Sequence, residues 1–233
     1  MSDSAANEGG AITEEGHPVK YYKRDFWKRE NLNYSRPHYR LQKSARVVRK
    51  LARGRQQCAL LDVGCGPATL SRLVPANVRY HGIDIAIQDP APNLIEADTL
   101  ESPIEFRGMS FDIVVAQGFF EYMGRFQDQK FAEIAKLLNE GGRFLASYVN
   151  FDHRHKVIYW PYSNVQPFAE FRDNLAQHFE IKRILPTSHN WNHSEPNRRP
   201  IRVPNMYLDI NIPFITPRLA VEYFFICAPR TGS

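Results

Sequence analysis

The chain of 233 residues is 43% hydrophobic and 24% charged, which excludes a mainly disordered or fibrous protein and allows one α/β domain with a self-sufficient core. No apolar run approaches the roughly 18 residues that a membrane span requires, and the polar, acidic first residues hold no apolar signal-peptide segment. The formal charge of +5 is local: residues 35–55 carry eight Lys or Arg and no acid, and the remainder has 22 basic against 25 acidic residues.

In chain order, residues 1–19 read as a disordered leader, and 20–230 as a single domain. Over 20–33, Tyr22, Phe26 and Arg29 share a helical face, with Tyr21 and Trp27 nearby. Ser35 is placed to cap a second helix, with Pro37 in its first turn. There Leu41, Ala45, Val48 and Ala52 recur at helical spacing, joined by Leu51, until Gly54 stops it. The basic side chains of this segment could attract phosphates or an acidic substrate; a solvated helix face is the plainer reading.

From residue 59 the pattern alternates. A buried strand over 59–64 enters the turn Gly64-Cys65-Gly66, and 67–74 is predicted to be a short helix. Strands follow over 78–85, more weakly over 93–97, and over 111–116. Phe131, Ile134, Ala135 and Leu138 form a helix stripe ended by Gly141-Gly142. A fifth strand spans 144–149. Phe168, Phe171, Leu175 and Phe179 form another stripe, with a sixth strand over 181–185 and a last one over 221–227. Such alternation predicts a mostly parallel sheet covered on both faces. Six prolines crowd 186–217, which reads as an irregular insertion on the substrate side. Cys58, Cys65 and Cys227 are odd in number and lack C-x-x-C spacing, so neither a disulfide framework nor a zinc knuckle is expected, and the cytoplasm is the default compartment.

The octet L-L-D-V-G-C-G-P at 60–67 is the most informative segment. Two glycines one residue apart let the chain turn tightly, and a helix start would offer a ligand bare backbone N–H groups. The third glycine of a dinucleotide fingerprint would fall at Thr69, and Asp62 would stand badly beside a pyrophosphate. A positively charged ligand without phosphates fits better.

These residues resemble the first motif of class I S-adenosylmethionine-dependent methyltransferases, and further segments follow in that family's order. They are H-G-I-D-I ending in Asp84-Ile85, E-A-D-T-L with Asp98, S-F-D-I-V-V-A-Q-G-F-F-E-Y at 110–122, and L-L-N-E-G-G-R-F at 137–144. The likeness covers about 58–150 and implies a Rossmann-like, doubly wound, seven-stranded sheet with an antiparallel last strand, preceded by N-terminal helices. It implies S-adenosylmethionine as cofactor, with the demethylated S-adenosylhomocysteine as product. Asp84 would accept hydrogen bonds from the ribose hydroxyls, and Asp98 would lie against the adenine amine. Asp62, Gly64, Cys65, Gly66, Ile85, Thr99 and Gln117 would complete the cofactor's surroundings. Tyr22 would do so from a lid spanning 20–55. Asp84 and Asp98 taken singly could equally be turn residues.

The resemblance implies a small-molecule acceptor at the carboxyl edge of the sheet, next to the segments after the fourth, fifth and sixth strands. Four histidines lie there. His153 and His189 are the candidates for a base that removes the acceptor's proton. With His155 and His193 they could also bind a metal, but no carboxylate cluster beyond Asp152 accompanies them, so no metal is expected. Tyr159, Trp160, Tyr162 and Trp191 would suit a flat or sugar-like acceptor. Q-G-F-F stands where nucleic-acid amino-methyltransferases carry a prolyl tetrapeptide, which disfavours nucleic acid. No membrane partner is expected, and a homodimer is left open. Two alternatives remain: an RNA or protein methyltransferase using the basic helix at 35–55, and a non-catalytic partner subunit of the same fold.

Overall fold

The computed structural model describes residues 39–150, 166–189, 211–216 and 220–230. The leader, the helix expected over 20–33, the Ser35 cap and most of the 186–217 insertion lie outside these residues. The elements are α1 (Tyr39–Leu51), β1 (Cys58–Val63), β2 (Val78–Asp84), β3 (Leu94–Glu96), β4 (Phe111–Ala116), α2 (Gln127–Leu137), β5 (Leu138–Val149), α3 (Phe168–His178), β6 (Phe179–His189) and β7 (Ala220–Pro229). They build a seven-stranded sheet in the order β3-β2-β1-β4-β5-β7-β6. The neighbours from β3 to β5 pair in parallel, whereas β7 runs antiparallel to both β5 and β6. The expected fold class is therefore the one observed.

The two-residue period of the strands sorts apolar side chains onto opposite faces. Leu61, Val63, Val114, Ala116, Phe144 and Phe225 meet Phe131 and Ile134 of α2 and Phe171 and Leu175 of α3. Leu60, Ile113, Val115, Leu145 and Phe224 face the other way, against Ala45, Val48 and Ala52 of α1. The predicted α1 stripe is thus its buried face. The first face is aromatic: Tyr148 stacks on Phe171 with ring centroids 3.8 Å apart, and Phe120 lies 4.5 Å from Phe131. Each such ring contributes about 1.5–3 kcal/mol by leaving water.

Three boundaries differ from expectation. The short helix predicted over 67–74 is only a 3-10 turn at Thr69–Arg72, preceded by Ala68 in the left-handed region at φ 52°. With Ala68 left-handed, only the short turn over Thr69–Arg72 forms between Pro67 and Pro75. Gly141-Gly142 does not cap α2, because Leu138 already pairs with Phe111 as the start of β5; the glycines form a bend inside that strand. Pro186 does not begin an irregular loop either. It sits in β6 opposite Tyr223, and the strand runs on to His189 opposite Ala220.

Candidate functional site

Parallel strands β1, β2 and β4 all end on one edge, and the glycine turn is built there. Gly64 and Gly66 adopt φ 73° and 52°, where a Cβ would be strained. The Gly64 and Cys65 N–H groups both donate to the Ile83 carbonyl (2.8 and 3.2 Å), and Gly66 N–H donates to Asp84 Oδ2 at 2.8 Å. The expectation of bare N–H groups at a helix start is therefore corrected. The turn spends its donors inside the protein, and no α-helix follows it. That leaves little to hold a phosphate and agrees with a ligand that has none.

Asp84 accepts a second backbone bond, from Ala86 N–H to Oδ1 at 2.9 Å. Each carboxylate oxygen thus keeps a lone pair for a further donor such as a ribose hydroxyl. Burial raises the pKa of Asp84, opposed by those backbone bonds. Asp62 is deeper, 4% exposed, and takes the Tyr80 hydroxyl at 2.7 Å. Burial pushes its pKa up to about 7, the Tyr80 bond lowers it and the Asp84 charge raises it. The two acids at the turn favour a positively charged ligand, while Arg72 and Asp89 both line the cavity beside Gly66. Cys65 is buried, with its thiol pushed up by burial and by both aspartates. It packs on Gly82, where a Cβ would meet Cys65 Sγ at 2.7 Å and Leu94 Cδ2 at 2.8 Å.

Asp98 lies two residues past β3. Its Oδ1 accepts from Leu100 N–H at 2.9 Å and its carbonyl from the Ser102 hydroxyl at 2.7 Å, so it organises a turn. Beside it Thr99 is buried, and Ile85 is half-buried at the end of β2. Glu96, which the sequence did not single out, takes Ile87 N–H at 2.9 Å and fixes the segment after Asp84. Asp62, Asp84, the glycines and Ile85 therefore stand together around the turn. Tyr22 and His153 lie outside the described residues. His189 is described only through its backbone, as the last residue of β6.

A second group at the same edge includes Gln117, expected beside the cofactor, together with two acids that the sequence did not single out. After β4, Gln117 Oε1 accepts from the Ser44 hydroxyl of α1 at 3.0 Å, and Gly118 N–H donates to Ser147 Oγ of β5 at 2.9 Å. Arg40 at the start of α1 pairs with Glu222 of β7 at 3.1 Å. Glu121 and Glu222 are 4% and 1% exposed. Burial pushes the pKa of Glu121 up to about 8, with the Glu222 charge adding to the rise and backbone N–H groups and Arg40 opposing it. Glu222 Oε2, Gln117 Nε2 and both Glu121 oxygens are buried and make no well-aligned hydrogen bond, although the Glu121 and Val149 N–H groups lie near enough to the Glu121 carboxyl to lower its pKa. Spacing could not reveal this set, because it joins residues 40, 117, 121 and 222 from four elements.

The basic stretch is also partly accounted for. Arg40 is paired with Glu222, and Lys43, itself buried, donates to the Pro186 carbonyl. Arg49 reaches the Leu73 carbonyl at 3.4 Å, and Arg55 pairs with Asp112 at 2.9 Å. At least four of the eight cations thus serve internal contacts, so the segment is neither a purely solvated face nor a continuous phosphate track. Among the described residues no group of three or more His, Cys, Asp or Glu could hold a metal ion. Among them, too, no helix is long and apolar enough to cross a membrane.

Residues 36–185 match the family model described as "Methyltransferase domain". No curated protein matches the chain. Many solved structures do. The N-methyltransferase NodS of Bradyrhizobium japonicum WM9, in complex with S-adenosyl-L-homocysteine, aligns at TM-score 0.57 and 9% identity, covering 91% of this chain and 98% of that one. An S-adenosylmethionine-dependent methyltransferase of Clostridium acetobutylicum ATCC 824 aligns at 0.59 and 9% identity, covering 86% and 95%. A chain from the complex of the Haloferax volcanii Trm112 methyltransferase activator with a methyltransferase aligns at 0.58 and 17%, covering 91% and 99%. At these identities the likeness is one of fold.

Proposed function

Because the chain belongs to the methyltransferase-domain family and is a class I S-adenosylmethionine-dependent methyltransferase, we propose that it moves the methyl group to an oxygen or nitrogen of a small metabolite. The observation that carries this reading is the glycine turn, pinned by Asp84 at the carboxyl edge of β1 and β2 and backed by the buried Asp62. There, Asp84 receives the ribose hydroxyls, Ile85 lies beside the adenine, and Asp98 with Thr99 borders it. Asp62 offsets the positive charge from behind the turn, with Gly64, Cys65, Gly66 and Gln117 shaping the walls. Tyr22, which lies outside the described residues, is assigned to the cofactor's surroundings from the family resemblance alone. The bound sulfonium supplies an already activated methyl group, so the protein's main task is alignment.

A hydroxyl acceptor needs a base, and His153 and His189 are the candidates from the sequence. Small metabolites are favoured over nucleic acid by the Q-G-F-F segment and by the cations of α1 that are turned to internal partners. A biosynthetic tailoring role is proposed by analogy with the family alone, the cytoplasm from the scattered cysteines, and a single domain over 20–230 from the chain length. The test is to incubate the protein with methyl-labelled S-adenosylmethionine and fractionated small-molecule, RNA and protein extracts. Label is expected in the small-molecule fraction; label confined to RNA or protein overturns the reading.

A further inference from the structure

The buried polar set after β4 is unfinished in a specific way. When Glu121 is ionised, three of the set's four unpartnered atoms, Glu121 Oε1, Glu121 Oε2 and Glu222 Oε2, accept hydrogen bonds, and only Gln117 Nε2 donates. A buried polar atom left unpaired is destabilising, and such atoms are few in folded proteins. Once Glu121 has lost its proton, two carboxylates stand against the one guanidinium found beside them among the described residues, that of Arg40, which is already engaged with Glu222. The group that completes this set brings several N–H or O–H donors and positive charge. An ammonium does so with three donors and no acceptor, whereas each added hydroxyl brings further lone pairs to satisfy.

The position is that of an acceptor. Glu121 follows β4 by five residues, Val149 at the end of β5 pairs with Glu222, and both lie at the carboxyl edge where the glycine turn sits. Arg40 Nη1 stands 3.5 Å from where a Cβ on Gly118 would be, so the guanidinium reaches across from Glu222 to the segment after β4. We propose that Gln117, Glu121 and Glu222 form the acceptor subsite, and that the acceptor is a primary or secondary amine entering as its ammonium ion. This rests on the methyltransferase reading above and narrows it to nitrogen.

The step balances. An ammonium hydrogen passes to a Glu121 carboxylate oxygen, leaving a neutral amine with its lone pair and a neutral carboxyl group. The nitrogen then attacks the methyl carbon; the N–C bond forms while the C–S bond breaks, its electron pair staying on sulfur. The product leaves as the methylated ammonium, and Glu121 returns its proton to water. Glu222, Arg40 and Tyr148 are the charged and titratable groups that act on or respond to Glu121. Burial pushes Glu121 up to about 8, so at pH ~7 it is mostly protonated, and the ionised form that takes the ammonium hydrogen grows as pH rises through that value. In this scheme Glu121, rather than His153 or His189, removes the acceptor's proton.

The test begins with S-adenosylhomocysteine binding to the wild-type protein, measured by calorimetry; its absence would count against the methyltransferase reading itself. The protein saturated with that product is then titrated with butylamine and benzylamine hydrochlorides, and with butanol and benzyl alcohol, while the melting temperature is followed. The amines are expected to raise it and the matched alcohols to leave it unchanged, with the amine effect lost in Glu121→Gln and weakened in Glu222→Gln. S-adenosylhomocysteine affinity should stay within about twofold of wild type in Glu121→Gln, as for an isosteric change outside the cofactor's contacts. Equal responses to amines and alcohols, no response to either amine, or an undiminished amine response in Glu121→Gln would each overturn the proposal. Should Glu121→Gln fail to fold, the wild-type contrast and Glu222→Gln still decide.

Discussion

Asp84 holds Gly66 and Ala86 by their backbone N–H groups, and in the proposed function it also receives the ribose hydroxyls. Asp84→Ala is therefore expected to weaken S-adenosylhomocysteine binding by about 1–3 kcal/mol and also to lower the stability of the ligand-free protein. Calorimetry and urea unfolding separate the two losses. His81 is a different case. Both of its ring nitrogens are buried without partners, its ring lies edge-on to Phe106 at 4.8 Å, and burial lowers its pKa, helped by Arg107 and Arg79. The fold therefore favours the neutral ring. Its contribution is intact above the unfolded value near ~6.5 and falls as pH drops below it. His81→Leu is expected to raise stability by about 1–2 kcal/mol at pH ~7.5 and by more at pH ~5.5. An equal gain at both values would mean that the ring does not resist protonation.

At the scale of elements, β1 and β2 are locked together by side-chain size. Asp62 pairs in register with Gly82, and the bare glycine leaves room for the Cys65 thiol above it. Gly82→Ala places a methyl group at 2.7 Å from that sulfur and 2.8 Å from Leu94. It should destabilise the protein by about 1–3 kcal/mol, the usual range for overpacking. Cys65→Ala in the same chain should recover part of the loss, and the coupling is read from a double-mutant cycle. Additive losses would mean that the thiol and the glycine do not share this space. α1 is held by similar cross-element contacts: Ser44 to the β4 segment, Lys43 to β6 and Arg40 to β7. The helix therefore spans the carboxyl edge and brings residues of the central strands under its N-terminal end.

For the molecule as a whole, the sheet order places the cofactor turn and the buried Glu121–Glu222 group on one edge, while α1 covers one face and α2 with α3 the other. A ligand that binds only the folded form stabilises it by mass action. S-adenosylhomocysteine at about 100 times its dissociation constant should add about 2.7 kcal/mol and raise the melting temperature by roughly 5–11 °C. Denaturation at several ligand concentrations checks the logarithmic dependence. If the α1 cations do not form a phosphate track, RNA should leave the melting curve unchanged at low salt. A shift that vanishes with added salt would revive the RNA reading.

The local motif was legible in the sequence. L-L-D-V-G-C-G-P and the acid after β2 are contiguous or fixed at one spacing, and a buried parallel strand, a positive-φ turn and a returning strand each demand particular residue types there. The apolar stripes of α1, α2 and α3 were legible for the same reason, since their periods show which side chains face the sheet. Element ends were less so. Leu138 and Pro186 are recruited into strands by Phe111 and Tyr223, partners 27 and 37 residues away, against their local signals. The spent N–H groups of the glycine turn likewise depend on Ile83 and Asp84 across the sheet. Glu121 and Glu222 stand 101 positions apart, and only the antiparallel return of β7 beside β5 buries them in one polar group. Short-range chemistry was thus written along the chain, whereas the group that would meet the acceptor is a product of strand order.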